Sequence, residues 1–363
     1  TQAIRDALTD FKKSGKFIYA YHDFFTQKDY YLASVADSVF VHPEGGVELA
    51  GLASEVLYLK EFQDITGIEM QVIRNGAYKS AVEPFLQNEM SDENRKQIKS
   101  LLVGFWAEMV VKIDERTALT PKKINEIASS LDALVSANAV ELGVVDNALL
   151  RNEYTELLRA KMELEEEDKL HTIDIEDYQQ TVSTQLGEGK DRIAVVYAQG
   201  EIIYGEGGEF QIGQELLIRT LKKIKKHDRT KAVVIRINSP GGSSLASELI
   251  YQEIENLQQE KPVVISMGDV AASGGYYIAA GADYIFAEPT TITGSIGVAI
   301  AIPTLENAMD YIGVNFDGVV TSKHGGWDPT QAIDDDLDKI FAKWGADAYD
   351  RFVNFVADSR SQS

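Results

Sequence analysis

An internal repeat restricts the fold of this chain more than any other feature. The run Tyr30-Tyr31-Leu32-Ala33-Ser34-Val35-Ala36-Asp37-Ser38-Val39-Phe40-Val41-His42-Pro43 aligns with Tyr276-Tyr277-Ile278-Ala279-Ala280-Gly281-Ala282-Asp283-Tyr284-Ile285-Phe286-Ala287-Glu288-Pro289 at a constant offset of 246 positions. The same offset pairs Ile4 with Ile250, Asp23 with Asp269, Gly51 with Gly297 and Gly67 with Gly313. A register held without gaps over that distance marks two copies of one structural unit. The 363 residues are enough for two domains of ordinary size, each burying its own core.

Within the second copy the pattern alternates. Ile193 to Tyr197 and Ala232 to Ile237 are short β-branched runs, Leu245 to Gln258 has helical spacing, and Pro262 to Met267 reads as another strand. Strands alternating with helices predict an α/β fold of parallel strands joined by right-handed crossovers. The expected domains are residues 1–163, an acidic linker over 164–191 that includes Glu165-Glu166-Glu167-Asp168, and residues 192–363. Thr1 aligns with Ser247, so the first copy lacks a counterpart of Ile193 to Ala246. Asp358-Ser359-Arg360 resembles Asp114-Glu115-Arg116, after which the first copy runs on from Leu119 to Leu158. On this reading the chain is a piece of a longer protein, shortened at both ends.

Composition narrows the chemistry. The formal net charge of −22, with no offsetting basic stripe, argues against a nucleic-acid partner and is read as solubility or as repulsion from anionic lipid. The absence of cysteine excludes disulfides, thiolate catalysis and cysteine-ligated zinc, and no cofactor or metal is expected. No apolar run approaches the roughly 18 residues of a membrane-spanning helix, so the residues given are expected to be soluble.

Three glycine-containing turns and one lysine carry candidate chemistry. Asn238-Ser239-Pro240-Gly241-Gly242-Ser243 follows a strand and precedes a helix; it is either an oxyanion hole, with the N–H of Gly241 or Gly242 aimed at a carbonyl oxygen, or a tight connecting turn. Gly268-Asp269-Val270-Ala271-Ala272-Ser273-Gly274-Gly275-Tyr276 puts Ser273 at the start of a helix, as an attacking nucleophile or as a simple cap. A nucleophilic serine needs a base. A histidine base is one reading, but the five histidines, at 22, 42, 171, 227 and 324, have no local relation to Ser273; the alternative is a lysine kept neutral by burial.

The repeat points to Lys79, in Asn75-Gly76-Ala77-Tyr78-Lys79-Ser80-Ala81-Val82-Glu83-Pro84-Phe85 after the strand Met70 to Ile73. Lys79 aligns with Gly325 and Ser273 with Gln27, so each copy has kept one half of a dyad and lost the other. A surface lysine is the plain alternative, and Lys323 is the nearest competitor. In Thr293-Gly294-Ser295-Ile296-Gly297, Ser295 either orients the lysine Nζ or belongs to an ordinary turn.

With these four motifs in place, nearly the whole chain resembles the signal peptide peptidase A (protease IV) family in its long bacterial form. The resemblance implies tandem Clp-protease-like or crotonase-like domains built from repeated β-β-α units. It implies Ser273 as nucleophile, Lys79 as general base, Ser295 as the residue orienting the lysine, and an oxyanion hole from Gly241 and Gly274. It further implies peptide substrates derived from signal peptides, a homotetramer, and an inner-membrane location with the catalytic part facing the periplasm or cell exterior. Anchorage by an N-terminal transmembrane helix, absent from these residues, comes with it. The competing readings are a crotonase-like acyl-CoA enzyme, which needs neither Ser273 nor Lys79, and a non-catalytic scaffold.

Overall fold

The computed structural model describes residues 1–165, 167–181, 189–328 and 330–360. Residues 166 and 182–188 of the expected linker lie outside the described residues. The chain divides into two compact units, one formed by Thr1–Ala53 with Leu101–Gly187 and the other by Ser54–Ser100 with Glu188–Ser363. The repeat alone set the expected boundaries at 163 and 192, whereas packing groups 54–100 with the C-terminal half. The reason is a strand pairing: Glu69–Asn75 runs antiparallel to Val298–Thr304 over seven residues, from Val298 opposite Asn75 to Thr304 opposite Glu69.

The first unit holds a parallel sheet in which Ser38–Val41 lies between Tyr19–His22 and Asn147–Ala148. Its core is apolar: Val39, Val41, Ile113, Ile124 and Val144 are fully buried. Tyr30 is buried among them and its hydroxyl donates to the Val144 carbonyl at 2.5 Å, so the phenol costs no unsatisfied hydrogen bond.

The second unit is built on Arg192–Gln199, Thr230–Ser239, Val263–Ala272 and Tyr284–Phe286, in the parallel order 284–286, 263–272, 230–239, 192–199. Ile292–Gly294 joins the end of the 263–272 strand. Strand alternation decides the buried face: Val233, Ile235 and Ile237 are fully buried and meet Ile250, Ile254 and Leu257 from the helix Ser244–Gln258. Each such aliphatic side chain contributes roughly 1.5–3 kcal/mol by leaving water. Ser243 caps that helix, its hydroxyl accepting from the Ala246 N–H at 3.3 Å.

The parallel α/β architecture agrees with the alternation in sequence, and four of the expected elements begin or end within a few residues of their predicted bounds. The clearest difference is the strand expected to end at Met267, which continues to Ala272. A bulge allows this. Ile237 pairs with Met267 but Ser239 pairs with Ala271, so the 263–272 strand has two residues more than its neighbour. The Asn238 side chain fills the irregularity and accepts from the Val270 N–H at 3.1 Å. Among the described residues no helix is long and apolar enough to cross a membrane.

Candidate active site

The candidate residues Ser273, Lys79, Ser295, Gly241 and Gly274 all fall within the second unit. The bulged strand 263–272 ends at Ala272, and Ser273 follows with φ +53° and ψ −121°, a conformation that costs a non-glycine residue on the order of 1–3 kcal/mol. Two bonds hold it: the Ser273 N–H donates to Gly294 O at 2.8 Å, and its carbonyl accepts from Tyr277 N–H at 2.9 Å. The helix Gly274–Ala280 begins at the next residue, yet the Ser273 side chain makes no capping bond to it. Its hydroxyl is therefore free for other chemistry.

That hydroxyl meets Lys79. Nζ of Lys79 lies 3.0 Å from Ser273 Oγ and 3.1 Å from both the carbonyl and the hydroxyl oxygen of Ser295. Ser295 reaches this point because Ile292–Gly294 pairs in parallel with Val270–Ala272, carrying the 293–297 turn alongside the nucleophile. Lys79 arrives from the other side, at the end of the strand Glu69–Asn75 that pairs with Val298–Thr304. Lys323 is elsewhere: its ammonium binds Asp334 at 3.0 Å and also Asp336, an exposed ion cluster.

Burial lowers the Lys79 amine below the ordinary lysine value, and no charged group contributes to the shift. The three oxygen neighbours fit either protonation state, since an ammonium can donate to all three; the neutral amine is the form that can act as a base. Two N–H groups can donate to the two Ser295 oxygens while the lone pair accepts the Ser273 O–H; an ammonium has no lone pair for that role. The alkyl stem is confined as well. A Cβ on Gly297 would stand 3.1 Å from Lys79 Cδ and 3.2 Å from its Cβ, so a bare glycine makes the room the stem occupies.

The Pro-Gly-Gly turn lies against the nucleophile. A Cβ on Gly241 would fall 2.7 Å from both Gly274 N and Ser273 Cβ, and a Cβ on Gly242 would fall 2.1 Å from Ile202 O. Their φ values of +108° and +150° also demand glycine. The two N–H groups have different fates. Gly241 N–H donates to Ser239 Oγ at 3.1 Å. Gly242 is the bridging residue opposite Ile202, whose bonds run to Gly241 O and Ser243 N; its own N–H points away from that bridge and meets no acceptor among the described residues. Gly274 N–H, first in its helix, likewise has no acceptor among the described residues.

A pocket of about 480 Å³ opens on these groups. Lys79, Ser273, Gly242 and Gly274 form its polar end, and Leu245, Tyr277, Val298, Ile300, Trp344 and Phe352 form apolar walls. Trp344 and Phe352 come from the helix Asp335–Ser359, for which the sequence motifs suggest no role. Tyr277 hydrogen-bonds through its hydroxyl to Glu248; burial first, and then that carboxylate, hold the phenol well above its ordinary value, so it stays protonated.

The sequence profile of peptidase family S49 matches residues 10–165 and 255–363. The chain belongs to peptidase family S49. The Clp protease profile matches residues 187–292 of this S49 chain, the stretch that carries the Pro-Gly-Gly turn and Ser273. In an alignment of 370 positions that takes in 99% of its own length, the S49 chain is 38% identical to Protease 4 of Haemophilus influenzae, covering 60% of that protein. It is 33% identical to Protease 4 of Salmonella typhi, covering 59% of it, and 33% identical to the chloroplastic serine protease SPPA of Arabidopsis thaliana, covering 54%. It thus spans little more than half the length of these curated relatives.

Proposed function

We propose that this chain is a serine endopeptidase working through a Ser273–Lys79 dyad. The observation that carries the reading is the 3.0 Å approach of Lys79 Nζ to the uncapped Ser273 hydroxyl, with burial alone lowering the amine. Ser273 Oγ attacks a peptide carbonyl carbon as its proton passes to Nζ. The tetrahedral oxyanion accepts hydrogen bonds from the backbone N–H of Gly274 and of Gly242. The resemblance assigned the second donor to Gly241, whose N–H is already given to Ser239 Oγ. Collapse breaks the C–N bond, and the Lys79 ammonium returns its proton to the leaving amine. Lys79 then takes a proton from a water that attacks the acyl ester, and the serine hydroxyl is restored.

Ser295 orients the amine throughout by accepting from it. The apolar pocket beside Ser273 favours substrates with an aliphatic or aromatic side chain before the scissile bond, the character of signal-peptide cores. From the resemblance to the signal peptide peptidase A family we further propose an enzyme of the cell envelope, assembled as a homotetramer and held at the bacterial inner membrane with its site facing outward. The acyl-CoA alternative gains nothing from the Ser273–Lys79 contact, which it does not use.

A fluorophosphonate probe followed by peptide mass mapping tests the reading. Label on Ser273, lost in Lys79→Ala together with hydrolysis of apolar peptides, is expected. Hydrolysis near wild type in Lys79→Ala would overturn it. Sedimentation of the protein separates a tetramer from a monomer, and cleavage of a panel of signal peptides against polar peptides tests the substrate preference.

A further inference from the structure

Glu83 stands four residues beyond Lys79, on the 3-10 turn Ser80–Phe85, and its side chain is 1% exposed. A carboxylate so deeply buried is costly unless its oxygens are satisfied, and here they are. Oε1 accepts from Arg74 Nη1 at 3.1 Å and from Ser91 Oγ at 2.5 Å; Oε2 accepts from Asn94 Nδ2 at 3.0 Å and from the Ser91 N–H at 3.4 Å. Burial would raise this carboxyl, but the Ser91, Asn94 and Arg74 bonds prevail and hold it below the usual range, so it is ionised at neutral pH.

The placement of these partners gives the cluster its meaning. Arg74 is on the strand Glu69–Asn75, just before the Lys79 turn, and Ser91 and Asn94 stand at the entry to the helix Asp92–Thr117. The Arg74–Glu83 pair therefore closes a loop nine residues apart in sequence, with Lys79 near its middle. Beyond Asn75, which pairs with Val298 in the sheet, the backbone from 76 to 80 is held locally, by Lys79 N–H to Gly76 O at 3.1 Å and Ser80 N–H to Tyr78 O at 3.0 Å. Among the described residues, no other backbone hydrogen bond from 76 to 80 ties the base to the rest of the unit.

We propose that Glu83 is a positioning residue for the dyad: its buried carboxylate clamps both ends of the Lys79 loop and so sets the Nζ-to-Oγ distance. The proposal rests on the Ser273–Lys79 reading above. Glu83 does not touch the reacting atoms and acts only through Lys79. A misplacement of the base by an ångström is enough to lower turnover by about 100-fold while leaving the apolar pocket, and hence substrate binding, untouched.

The test is Glu83→Gln, which keeps the shape but turns one acceptor into a donor facing Asn94 or Ser91. In folded protein, checked by circular dichroism, kcat is expected to fall roughly 10- to 100-fold with KM within about twofold of wild type. The rising limb of the pH–rate profile should move to higher pH as Lys79 becomes better solvated. The other titratable and charged groups around the carboxylate are Arg74, and Tyr58, whose hydroxyl burial and then the Glu83 charge hold high. Tyr58 is pushed to higher pH and Lys79 to lower, so the two move apart. Should Glu83→Gln fail to fold, Ser91→Ala removes a single donor and is expected to give the same signature at about 3- to 10-fold. Folded variants with wild-type kcat, KM and pH profile overturn the proposal, whatever happens to their melting temperature. Lys79→Met assayed alongside separates the two claims: if it still hydrolyses peptides the dyad itself fails, and if it is inactive while the Glu83 variants are unaffected only the clamp fails.

Discussion

Positions 27 and 273 occupy the same place in the repeat and are built in opposite ways. In the first unit Thr26 has an ordinary extended conformation and caps the helix Gln27–Ala33 with a reciprocal Thr26–Asp29 pair. Gln27 is helical, and its amide donates to Gly51 O at 2.9 Å and accepts from the N–H groups of Ala50 and Gly51 at 3.0 and 2.9 Å. In the second unit Ala272 has no side-chain oxygen with which to cap, and Ser273 leaves the helix for a strained positive φ. The first copy uses its side chains to secure a helix start and a loop. The second gives up those bonds and keeps a hydroxyl open to Lys79. The lesson is that a duplicated scaffold can settle into stability at one copy while the strain needed for chemistry persists at the other.

The sharpest way to break this comparison is to exchange the consequences. Ser273→Ala should reduce peptide hydrolysis by roughly 10⁴-fold or more, whereas Gln27→Ala should leave kcat/KM per folded molecule unchanged, both read from initial rates on an apolar peptide. Lys79→Met should lose about 10²- to 10⁴-fold in kcat, the range for a general base. Its stability should move the other way. A lysine whose folded value is lowered binds fewer protons folded than unfolded, so its penalty is fully present below the lowered value. The penalty fades as pH rises, and is gone above about 10.4, the unfolded lysine value. Denaturant melts should therefore show Lys79→Met at least as stable as wild type at pH 7, with the gap closing at high pH.

Gly242→Ala places a methyl against Ile202 O at a φ that only glycine tolerates, and is expected to cost about 10²- to 10³-fold in kcat through the displaced oxyanion donor. Gly297→Ala asks Lys79 to give way by a few tenths of an ångström, and a loss on the order of tenfold in kcat, with KM held, is expected. The smallest effect belongs to Gln27→Ala, whose lost amide bonds should appear only as a loss of stability of about 1–3 kcal/mol in denaturant melts.

The contact of Lys79 with Ser273 is foreshadowed in the sequence by Gln27 and Gly325, the residues at the matching positions of the other copy. The parallel sheet is legible from β-branched runs alternating with the helical spacing of Leu245 to Gln258. Other features are not. The antiparallel pairing of Glu69–Asn75 with Val298–Thr304 joins strands more than two hundred positions apart, and alternation within either strand says nothing of its partner. Which of the two N–H groups, Gly241 or Gly242, is given to Ser239 Oγ is a matter of backbone direction that two adjacent glycines cannot disclose. The pocket walls from Trp344 and Phe352 belong to a helix that none of the sequence motifs touches. Glu83 stands in plain view within the Lys79 motif, but its burial and its four donors appear only once the loop is closed.

The central claim is that Lys79 is a neutral base in contact with Ser273, and the pH dependence of covalent labelling addresses it most directly. The rate at which a fluorophosphonate modifies Ser273 in the wild-type protein should rise with pH along a single titration centred below the ordinary lysine value, and in Lys79→Met that titration should vanish with the rate reduced at least a hundredfold. Labelling of Lys79→Met at the wild-type rate, with the same pH profile, would contradict the account.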